Sequence, residues 1–382
     1  DYIFIDNVEF INMGGALNFL GSPKVIGVTN CRFVDMQISD DEITVVNAGA
    51  LAGNNCDFIF KDNLVHGYEP AASGDGQGGL NVATDGSAKS CQCTIRGNHF
   101  RNLGNGDVGP VKLKHAHNSS IDGNVFTTSM GTAISVLASN QVKISGNKID
   151  GTHATKALGG DTLHGINVES TGLNSSGLII SDNEVSVSET ALIIDVAINV
   201  DGHAGATTNS IQDVKIVNNR IVGGLVSMNV DRVFGSVDIT GNEFRSWNNI
   251  TPSFAALQIG DLVGDTKINV ADNRFIGGSA SGRAIFMDRS RSGFDSPSTG
   301  TMPNIQFVLE NNYIKAGIAD GVPVWGPLIP DMALIYIDGH SGRDLLRDFH
   351  ASGNKYDFTD SNTGTYGLYV DNVTRNCTFD SV

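Results

Sequence analysis

Short stretches in which apolar and polar residues alternate follow one another along this chain, separated by turns of small and polar residues. The interval after Asn124 shows the unit: residues 132–137 alternate, residues 142–144 follow a short turn, and residues 148 and 149 follow a Ser-Gly-Asn corner. A period of two residues predicts β-strands, and none of the stretches is long enough for a helix. The pattern therefore predicts three short strands in each unit.

The corner of this unit recurs from one end of the chain to the other. Its template is an aliphatic residue, two small or polar residues, an Asn, a variable residue and an aliphatic or aromatic one, as in residues 144–149. The spacing between successive Asn residues has a minimum near 22, and longer intervals look like this minimum with an insertion. A fixed unit with variable insertions is typical of a solenoid. The repeated residues are Asn7, Asn30, Asn63, Asn98, Asn124, Asn147, Asn183, Asn219, Asn242, Asn273, Asn312, Asn354 and Asn376.

Three strands in each turn of the chain predict an all-β fold, a single-stranded right-handed parallel β-helix of about thirteen coils. Stacked parallel strands lie about 4.8 Å apart, so the rod would be roughly 60 Å long. We expect each repeated Asn to hydrogen-bond its equivalents in the neighbouring coils and also to adopt the left-handed conformation that the corner needs. Residues 1–382 are interpreted as one β-helix domain. Because solenoids need capped ends, we expect it to be excised from a longer chain whose end caps are missing.

The insertions fall mainly after the strand that follows the Asn and before the next long strand. We therefore expect long inserts on one side of the rod, where they would form the wall of a groove for an extended polymer. Aligning the long strands of the units places two residues of each on this face. From Glu169 onward the second of these is usually a carboxylate. We call this set the acidic column: Glu169, Asp201, Asp231, Asp288, Asp338 and Asp371.

Glu169, Asp201 and Asp231 are the candidate catalytic residues. Equivalent side chains on neighbouring coils are about 5 Å apart, and those on alternate coils about 10 Å apart. These values approach the carboxylate separations of retaining and inverting glycoside hydrolysis, ~5 Å and ~6.5–9.5 Å. Crowded carboxylates also raise one another's pKa, which separates a general acid from an ionised neighbour. Asp161 and Asp195 are second candidates.

Other interpretations of the acidic column remain open. Asp before Gly is an ordinary turn signal, and outward charges discourage lateral aggregation of a β-rod. Stacked carboxylates can also collect Ca²⁺; apart from that alternative, we expect no cofactor and no metal.

Aromatic residues in the inserts or on the outward face suggest contacts to sugar rings. This interpretation assumes that the rod core is aliphatic; covering the core or a subunit interface is the alternative. With the polar residues near the candidate carboxylates, the predicted substrate-binding set is His164, His203, Arg232, Trp247, Phe286, Trp325 and Tyr336.

A cationic pair, Lys112 and Lys114, points outward from one strand and is followed by His115 and His117. Polysaccharide lyases need a base and a cation that stabilises a uronate enolate, so these residues suggest β-elimination. The alternative is a local patch that balances the acidic column.

The formal net charge of −16 narrows the class of ligand. It argues against nucleic acid and against insertion into or binding to an anionic membrane, because those partners require basic patches. Neutral or weakly charged ligands fit better. The five Cys lack metal-ligand spacing and are expected to be buried free thiols. The chain contains neither an apolar run of 18 residues nor a signal peptide.

Repeats such as residues 239–244, Ile-Thr-Gly-Asn-Glu-Phe, and residues 270–275, Val-Ala-Asp-Asn-Arg-Phe, resemble the pectate-lyase-type β-helix superfamily. That superfamily includes hydrolases, lyases, epimerases and adhesins, so the resemblance is specific for fold and not for activity. Carboxylates on adjacent coils, long inserts and an acidic chain look most like bacteriophage tailspike depolymerases.

The tailspike resemblance implies a homotrimer of parallel rods, on a virion tail or secreted, that cleaves a bacterial surface polysaccharide (O-antigen, capsule or exopolysaccharide). By the same resemblance, Glu169 and Asp201 would be the general acid and its partner, which activates water or attacks directly. A polysaccharide lyase and a non-catalytic glycan-binding adhesin or fibre are the alternatives.

Overall fold

The computed structural model describes residues 2–36, 44–51, 56–67, 78–84, 91–103, 109–127, 132–151, 164–170, 174–187, 196–202, 210–224, 226–245, 255–260, 262–277, 283–288, 304–315, 333–338, 346–357, 366–371 and 373–380. These residues form 37 strands and no helix. Nothing in this part of the chain could therefore cross a membrane as an apolar helix.

The first half of the chain contains β1 (Tyr2–Asp6), β2 (Glu9–Ile11), β3 (Leu17–Gly21), β4 (Val25–Thr29), β5 (Arg32–Met36), β6 (Thr44–Leu51), β7 (Cys56–Lys61), β8 (Leu64–Gly67), β9 (Gly78–Thr84), β10 (Cys91–Arg96), β11 (His99–Arg101), β12 (Val111–Lys114), β13 (Ser120–Asp122), β14 (Val125–Thr127), β15 (Ile134–Leu137), β16 (Lys143–Ser145), β17 (Lys148–Gly151) and β18 (His164–Ser170). The second half contains β19 (Ser175–Ser181), β20 (Glu184–Val187), β21 (Val196–Gly202), β22 (Ile211–Val217), β23 (Arg220–Val222), β24 (Val226–Asp231), β25 (Val233–Thr240), β26 (Glu243–Arg245), β27 (Ala255–Ile259), β28 (Leu262–Ala271), β29 (Arg274–Ile276), β30 (Arg283–Asp288), β31 (Ile305–Glu310), β32 (Tyr313–Lys315), β33 (Ala333–Asp338), β34 (Leu346–Ser352), β35 (Lys355–Asp357), β36 (Tyr366–Asp371) and β37 (Val373–Asp380).

Successive strands enter three sheets in turn. Every third strand from β1 to β37 belongs to sheet one, which has 13 strands; the strands from β2 to β35 form sheet two and those from β3 to β36 form sheet three, with 12 strands each. Neighbouring strands pair in parallel, as in β1 with β4 and β18 with β21. One strand from each sheet makes one coil, so the predicted parallel β-helix of about thirteen coils is confirmed.

The corner between sheets one and two consists of two residues with separate tasks. The first has a left-handed backbone and is Gly, Asp or Asn, as in Gly146 with φ 63° and Asp182 with φ 58°. These residue types tolerate that conformation at low cost. The second residue is the buried Asn, such as Asn147 or Asn183. The expectation that one Asn both adopts the left-handed conformation and bonds along the rod is therefore wrong.

The buried Asn residues form a continuous hydrogen-bonded ladder along the rod. The Asn147 side-chain amide donates to Asn183 Oδ1 at 3.0 Å and to the Ile121 carbonyl at 2.9 Å. In return, Asn147 Oδ1 accepts from both the backbone N–H and the side-chain amide of Asn124, each at 3.0 Å. The members of this Asn ladder are Asn63, Asn98, Asn124, Asn147, Asn183, Asn219, Asn242, Asn273, Asn312 and Asn354.

Three residues of the sequence repeat lie outside the Asn ladder. Asn7 and Asn30 occupy the left-handed position of the corner, with φ 55° and 51°. At the ladder position of that coil the Cys31 backbone N–H donates to Asn63 Oδ1 at 2.8 Å. Asn376 lies in β37 and donates to Asp348 Oδ1 at 2.7 Å.

The core between the three sheets is aliphatic and aromatic, so the assumption of an aliphatic core is wrong. Phenylalanine rings stack from coil to coil: centroids are 5.0 Å apart for Phe100 and Phe126, and 4.6 Å apart for Phe244 and Phe275. A parallel stack repeats every 4.8 Å, which suits offset ring stacking. Four of the five Cys are buried free thiols as expected, whereas Cys377 is exposed.

The longest connections join sheets two and three, as predicted, for example between β17 and β18 and between β32 and β33. Another long connection, residues 289–304, leads from the C-terminal end of β30 in sheet three to β31 in sheet one. Sheet three thus has long connections at both ends of its strands, some entering and one leaving.

The Asn ladder predicts a sharp difference between two Asn→Ala variants. Asn147→Ala removes a buried amide and leaves the donors of Asn124 unsatisfied, which should lower the free energy of unfolding by about 3 kcal/mol. Asn376→Ala removes one exposed hydrogen bond and should cost less than about 1 kcal/mol. Urea denaturation measures both, and equal losses would contradict the assignment of the Asn ladder.

The left-handed position gives a second prediction. Gly146→Asn should be nearly neutral, whereas Gly146→Val should destabilise the protein by roughly 1–2 kcal/mol because the branched side chain resists positive φ. A Cβ at this position would meet nothing closer than 3.6 Å, so the Cβ atom itself causes no steric overlap. Thermal denaturation of the two variants checks this, and equal stability would contradict it.

Candidate functional site

The three candidate carboxylates lie in register on neighbouring coils of sheet three. Glu169 in β18 pairs with Asp201 in β21, which pairs with Asp231 in β24. Successive backbones of such a stack are about 4.8 Å apart. The structure thus brings these three residues together, while their catalytic role stays a prediction. The backbones of Asp288, Asp338 and Asp371 continue the same column further along the rod.

One coil of the acidic column carries Gly260 in place of a carboxylate, and Asp231 uses the space. A Cβ on Gly260 would lie only 2.6 Å from Asp231 Oδ1 and 2.8 Å from its carboxyl carbon. The Asp231 carboxylate therefore leans over the backbone of the next coil. Its Oδ1 also accepts the Arg232 backbone N–H at 2.9 Å, which orients the group.

A second row of amides runs beside the carboxylates, and the sequence interpretation missed it. Asn229 donates to Asn199 Oδ1 at 2.9 Å, and Asn199 donates to Asn167 Oδ1 at 2.8 Å. These three residues, here called the amide row, hold the first outward position of β24, β21 and β18. Asn167 and Asn199 are only 8% and 7% exposed, so these two side chains are buried. The signal in the sequence is the repeated aliphatic-Asn-Val of these strands.

The amide row ends on the first candidate carboxylate. Asn167 Nδ2 donates to Glu169 Oε1 at 2.9 Å. Each amide of the row donates a hydrogen bond in the direction of Glu169. Hydrogen bonds in such a chain polarise one another. Glu169 is therefore oriented by a chain of three amides, and no charged side chain among the described residues pairs with it.

Asp201 has a different environment, because the Arg232 guanidinium lies beside it. Arg232 Nη1 is 3.9 Å from Asp201 Oδ1 and donates to the Gly202 carbonyl at 2.9 Å. Arg232 is 7% exposed, and an opposite charge at this distance favours the ionised form of a carboxylate. The prediction that Arg232 binds substrate is corrected accordingly: its buried guanidinium faces protein oxygens, and it positions Asp201.

His164 begins β18, the strand that carries Glu169, and pairs in register with Val196. Burial lowers the pKa of His164 to about 4 because the charged imidazolium is desolvated. It is thus a neutral imidazole over most of the pH range, and any contact with a sugar would be a neutral hydrogen bond.

Phe286 was predicted to be an exposed aromatic, and this is wrong: it is only 4% exposed. The Arg283 guanidinium carbon lies 4.6 Å from its ring centroid and covers it through a cation–π contact. The register places Phe286 between Gln258 and Tyr336, two coils beyond Asp231. A buried ring at this position cannot stack on a sugar.

The side chains of the remaining candidates lie outside the part of the chain that the structure describes. The Tyr336 backbone belongs to β33, but its side chain is outside the described part of the structure. His203, Trp247, Trp325, Asp161 and Asp195 lie outside the described residues altogether. Their proposed roles stay predictions.

The arrangement supplies groups for proton transfer and for binding hydroxyls, with two carboxylates on adjacent coils in different electrostatic settings. Within the described residues, no three or more His, Cys, Asp or Glu side chains are grouped to hold a metal ion. The alternative of a Ca²⁺ site on the acidic column stays a prediction.

The lowered pKa of His164 predicts how stability depends on pH. Between pH 6.5 and about 4 the unfolded chain binds the His164 proton and the folded protein does not, so stability falls as the pH falls through this window. The loss would reach about 3 kcal/mol. Urea midpoints at pH 7.5 and 4.5 should differ less in His164→Gln than in the wild type, and an unchanged difference would contradict the assignment.

No protein-family model and no curated protein matches the chain. Among solved structures it is similar to a double mutant of the periplasmic alginate epimerase AlgG, with 10% identity, a TM-score of 0.39, and coverage of 94% of this chain and 76% of that chain. It is also similar to the Streptococcus pneumoniae surface protein and adhesin PfbA, with 11% identity, a TM-score of 0.35, and coverage of 87% and 91%. The three parallel sheets and the Asn ladder, rather than these remote likenesses, identify the chain as a parallel β-helix protein.

Proposed function

We propose that this protein is an endo-glycosidase that cleaves a bacterial surface polysaccharide with Glu169 and Asp201. The observation that supports the proposal most is their pairing in register on adjacent coils, each with a different partner. A backbone spacing of about 4.8 Å lies near the ~5 Å separation of retaining enzymes, and the side chains can splay toward the ~6.5–9.5 Å of inverting ones.

The environments of the two carboxylates suggest their roles. Asp201 lies beside the Arg232 guanidinium, which stabilises its charge and suits a base that activates water or a nucleophile. Glu169 is oriented by the neutral Asn167 amide and is proposed as the general acid that protonates the leaving oxygen. Asp231, one coil further, would stabilise positive charge that develops on the sugar.

The surface around these residues suits an extended glycan. The amide row lies on three successive coils, where its amides would meet the hydroxyls of a glycan lying along the rod. The long connections lie at both ends of the strands of sheet three and would form the walls of a groove. A polymer lying along the rod axis would pass the three carboxylates in sequence.

The tailspike resemblance extends the proposal to assembly and location. We propose a homotrimer of parallel rods that acts outside the cell, on a virion tail or as a secreted protein. The trimer is tested by light scattering on the purified chain, where the mass of a monomer would contradict it.

The proposed reaction predicts a large loss of activity in isosteric variants. Glu169→Gln and Asp201→Asn should each lower the turnover of a cleaved polysaccharide by ~10²–10⁴-fold, since general acid–base catalysis contributes about that factor. Asp57→Asn, which removes an exposed carboxylate from sheet one, is the matched control and should leave the rate unchanged. Reducing ends released from purified capsules and O-antigens measure the rate.

Product analysis decides between the candidate functions. Oligosaccharides with saturated ends support the glycosidase, whereas unsaturated uronates that absorb in the near ultraviolet would show a lyase. A glycan that binds without releasing fragments would show an adhesin or fibre. Wild-type turnover in both isosteric variants would refute the roles of Glu169 and Asp201.

A further inference from the structure

Lys112 and Lys114 lie on the same face of sheet three as the candidate carboxylates. Both belong to β12, where Lys112 is half-buried and Lys114 is exposed. The register pairs Lys112 with Ser135, which pairs with Asn167; it pairs Lys114 with Leu137, which pairs with Glu169. The two lysines therefore lie in the columns that, two coils later, hold the amide row and the acidic column.

Within the part of the chain that the structure describes, no neighbouring charge neutralises this cationic pair. Their register neighbours on both sides are uncharged: Asn81 and Ser135 for Lys112, Ala83 and Leu137 for Lys114. Among the described residues, neither ammonium group forms an ion pair. Two like charges on one face of a strand repel each other, and the chain has a net charge of −16 that could have supplied partners.

Balancing the acidic column does not account for the pair. Glu169 is two coils away, about 10 Å along the rod. That distance exceeds the Debye length of about 8 Å at physiological salt, so the attraction between the lysines and Glu169 through solvent is largely screened. A neutralising patch would be expected one coil from Glu169, where Leu137 stands.

The histidines beside the lysines do not complete a lyase site. His117 Nδ1 accepts the Asn140 backbone N–H at 3.0 Å, so that nitrogen cannot take a proton from a substrate. Its other nitrogen carries the proton of the neutral ring, and burial lowers the pKa of His117. His115 is buried, with Nδ1 3.3 Å from the Thr84 carbonyl. Among the described residues, the two lysines thus supply cationic groups for binding, and no accessible base lies beside them.

We propose that Lys112 and Lys114 form a subsite for an acidic substituent of the glycan, a carboxylate or a phosphate. The inference rests on the proposed function and names its substrate class. The substrate would be a heteropolysaccharide whose anionic group lies two coils, about 10 Å along the rod, from the cleaved bond. Asp201 and Asp231, as ionised carboxylates, repel anions, so the sugars over them are expected to be neutral. The lysines at one end and the carboxylates further along fix the direction in which the polymer lies.

The test compares acidic glycans with their neutralised forms. The probes are purified capsular and O-antigen polysaccharides that contain uronic acid or phosphate, each beside its carboxyl-reduced or dephosphorylated form. Binding is measured by calorimetry with the Glu169→Gln and Asp201→Asn double variant, so that turnover does not remove the ligand. We expect at least one acidic glycan to bind at least tenfold more tightly than its neutralised form, with an affinity that falls as salt is added. Carboxyl reduction and dephosphorylation separate the two anions.

Variants of the lysines assign the preference to the subsite. Lys112→Gln with Lys114→Gln should abolish the tenfold preference, and the pair of Lys→Arg substitutions should keep it. Lys143→Gln, which removes an exposed lysine from sheet one, is the control and should change nothing. Circular dichroism confirms that each variant is folded.

The outcomes separate the subsite from the proposed reaction. If neutralised glycans bind as tightly as acidic ones, if the Lys→Gln pair keeps the preference, or if no acidic glycan binds, the subsite is refuted. An acidic glycan that binds through the lysines and is never cut leaves the subsite standing and refutes the glycosidase. A neutral glycan that is cut at full rate leaves the glycosidase standing and refutes the subsite.

Discussion

The hydrogen bonds of the Asn ladder are the constraint on which the other features depend. From Asn63 to Asn312, each Asn of the ladder is bonded to the coil on both sides, and the amide–amide distances along the ladder are 2.9–3.1 Å. A slip of one residue would leave buried amides unsatisfied and turn inward side chains outward, both of which are costly. The ladder therefore fixes the register of sheets one and two, which meet at this corner. In sheet three, parallel pairing stacks Glu169 on Asp201 and places Lys112 two coils from Glu169.

Hydrogen-bonded rows of Asn amides run along both the inner and the outer side of the β-helix, and they serve different purposes. Inside, Asn63 donates to the next coil along the chain, and the ladder holds the rod together. Outside, Asn199 donates to the preceding coil, and the amide row ends on a carboxylate. The two chains of amides run in opposite directions. The outer one aims its donors at Glu169 without introducing a charge there.

The fold and the stacking of the carboxylates could be predicted from the sequence, because a repeat determines register and register determines which side chains are neighbours. Alternation separates inward from outward positions, but it does not show how deep an outward residue lies. Phe286 and Arg232 were therefore misjudged: one is covered by Arg283 and the other is turned back onto Gly202. The division of the corner between Gly146 and Asn147 depends on a backbone angle that residue type alone does not give.

The ladder geometry is independent of the length of chain between its rungs. Asn124 and Asn147 are separated by 23 residues, and Asn147 and Asn183 by 36, yet both pairs are joined by hydrogen bonds of 3.0 Å. Residues added between β17 and β18 leave the rungs in place, since they enter and leave the coil at the same points. The loops bordering sheet three can thus diverge, be exchanged or be redesigned, while the strands beneath them keep their alignment.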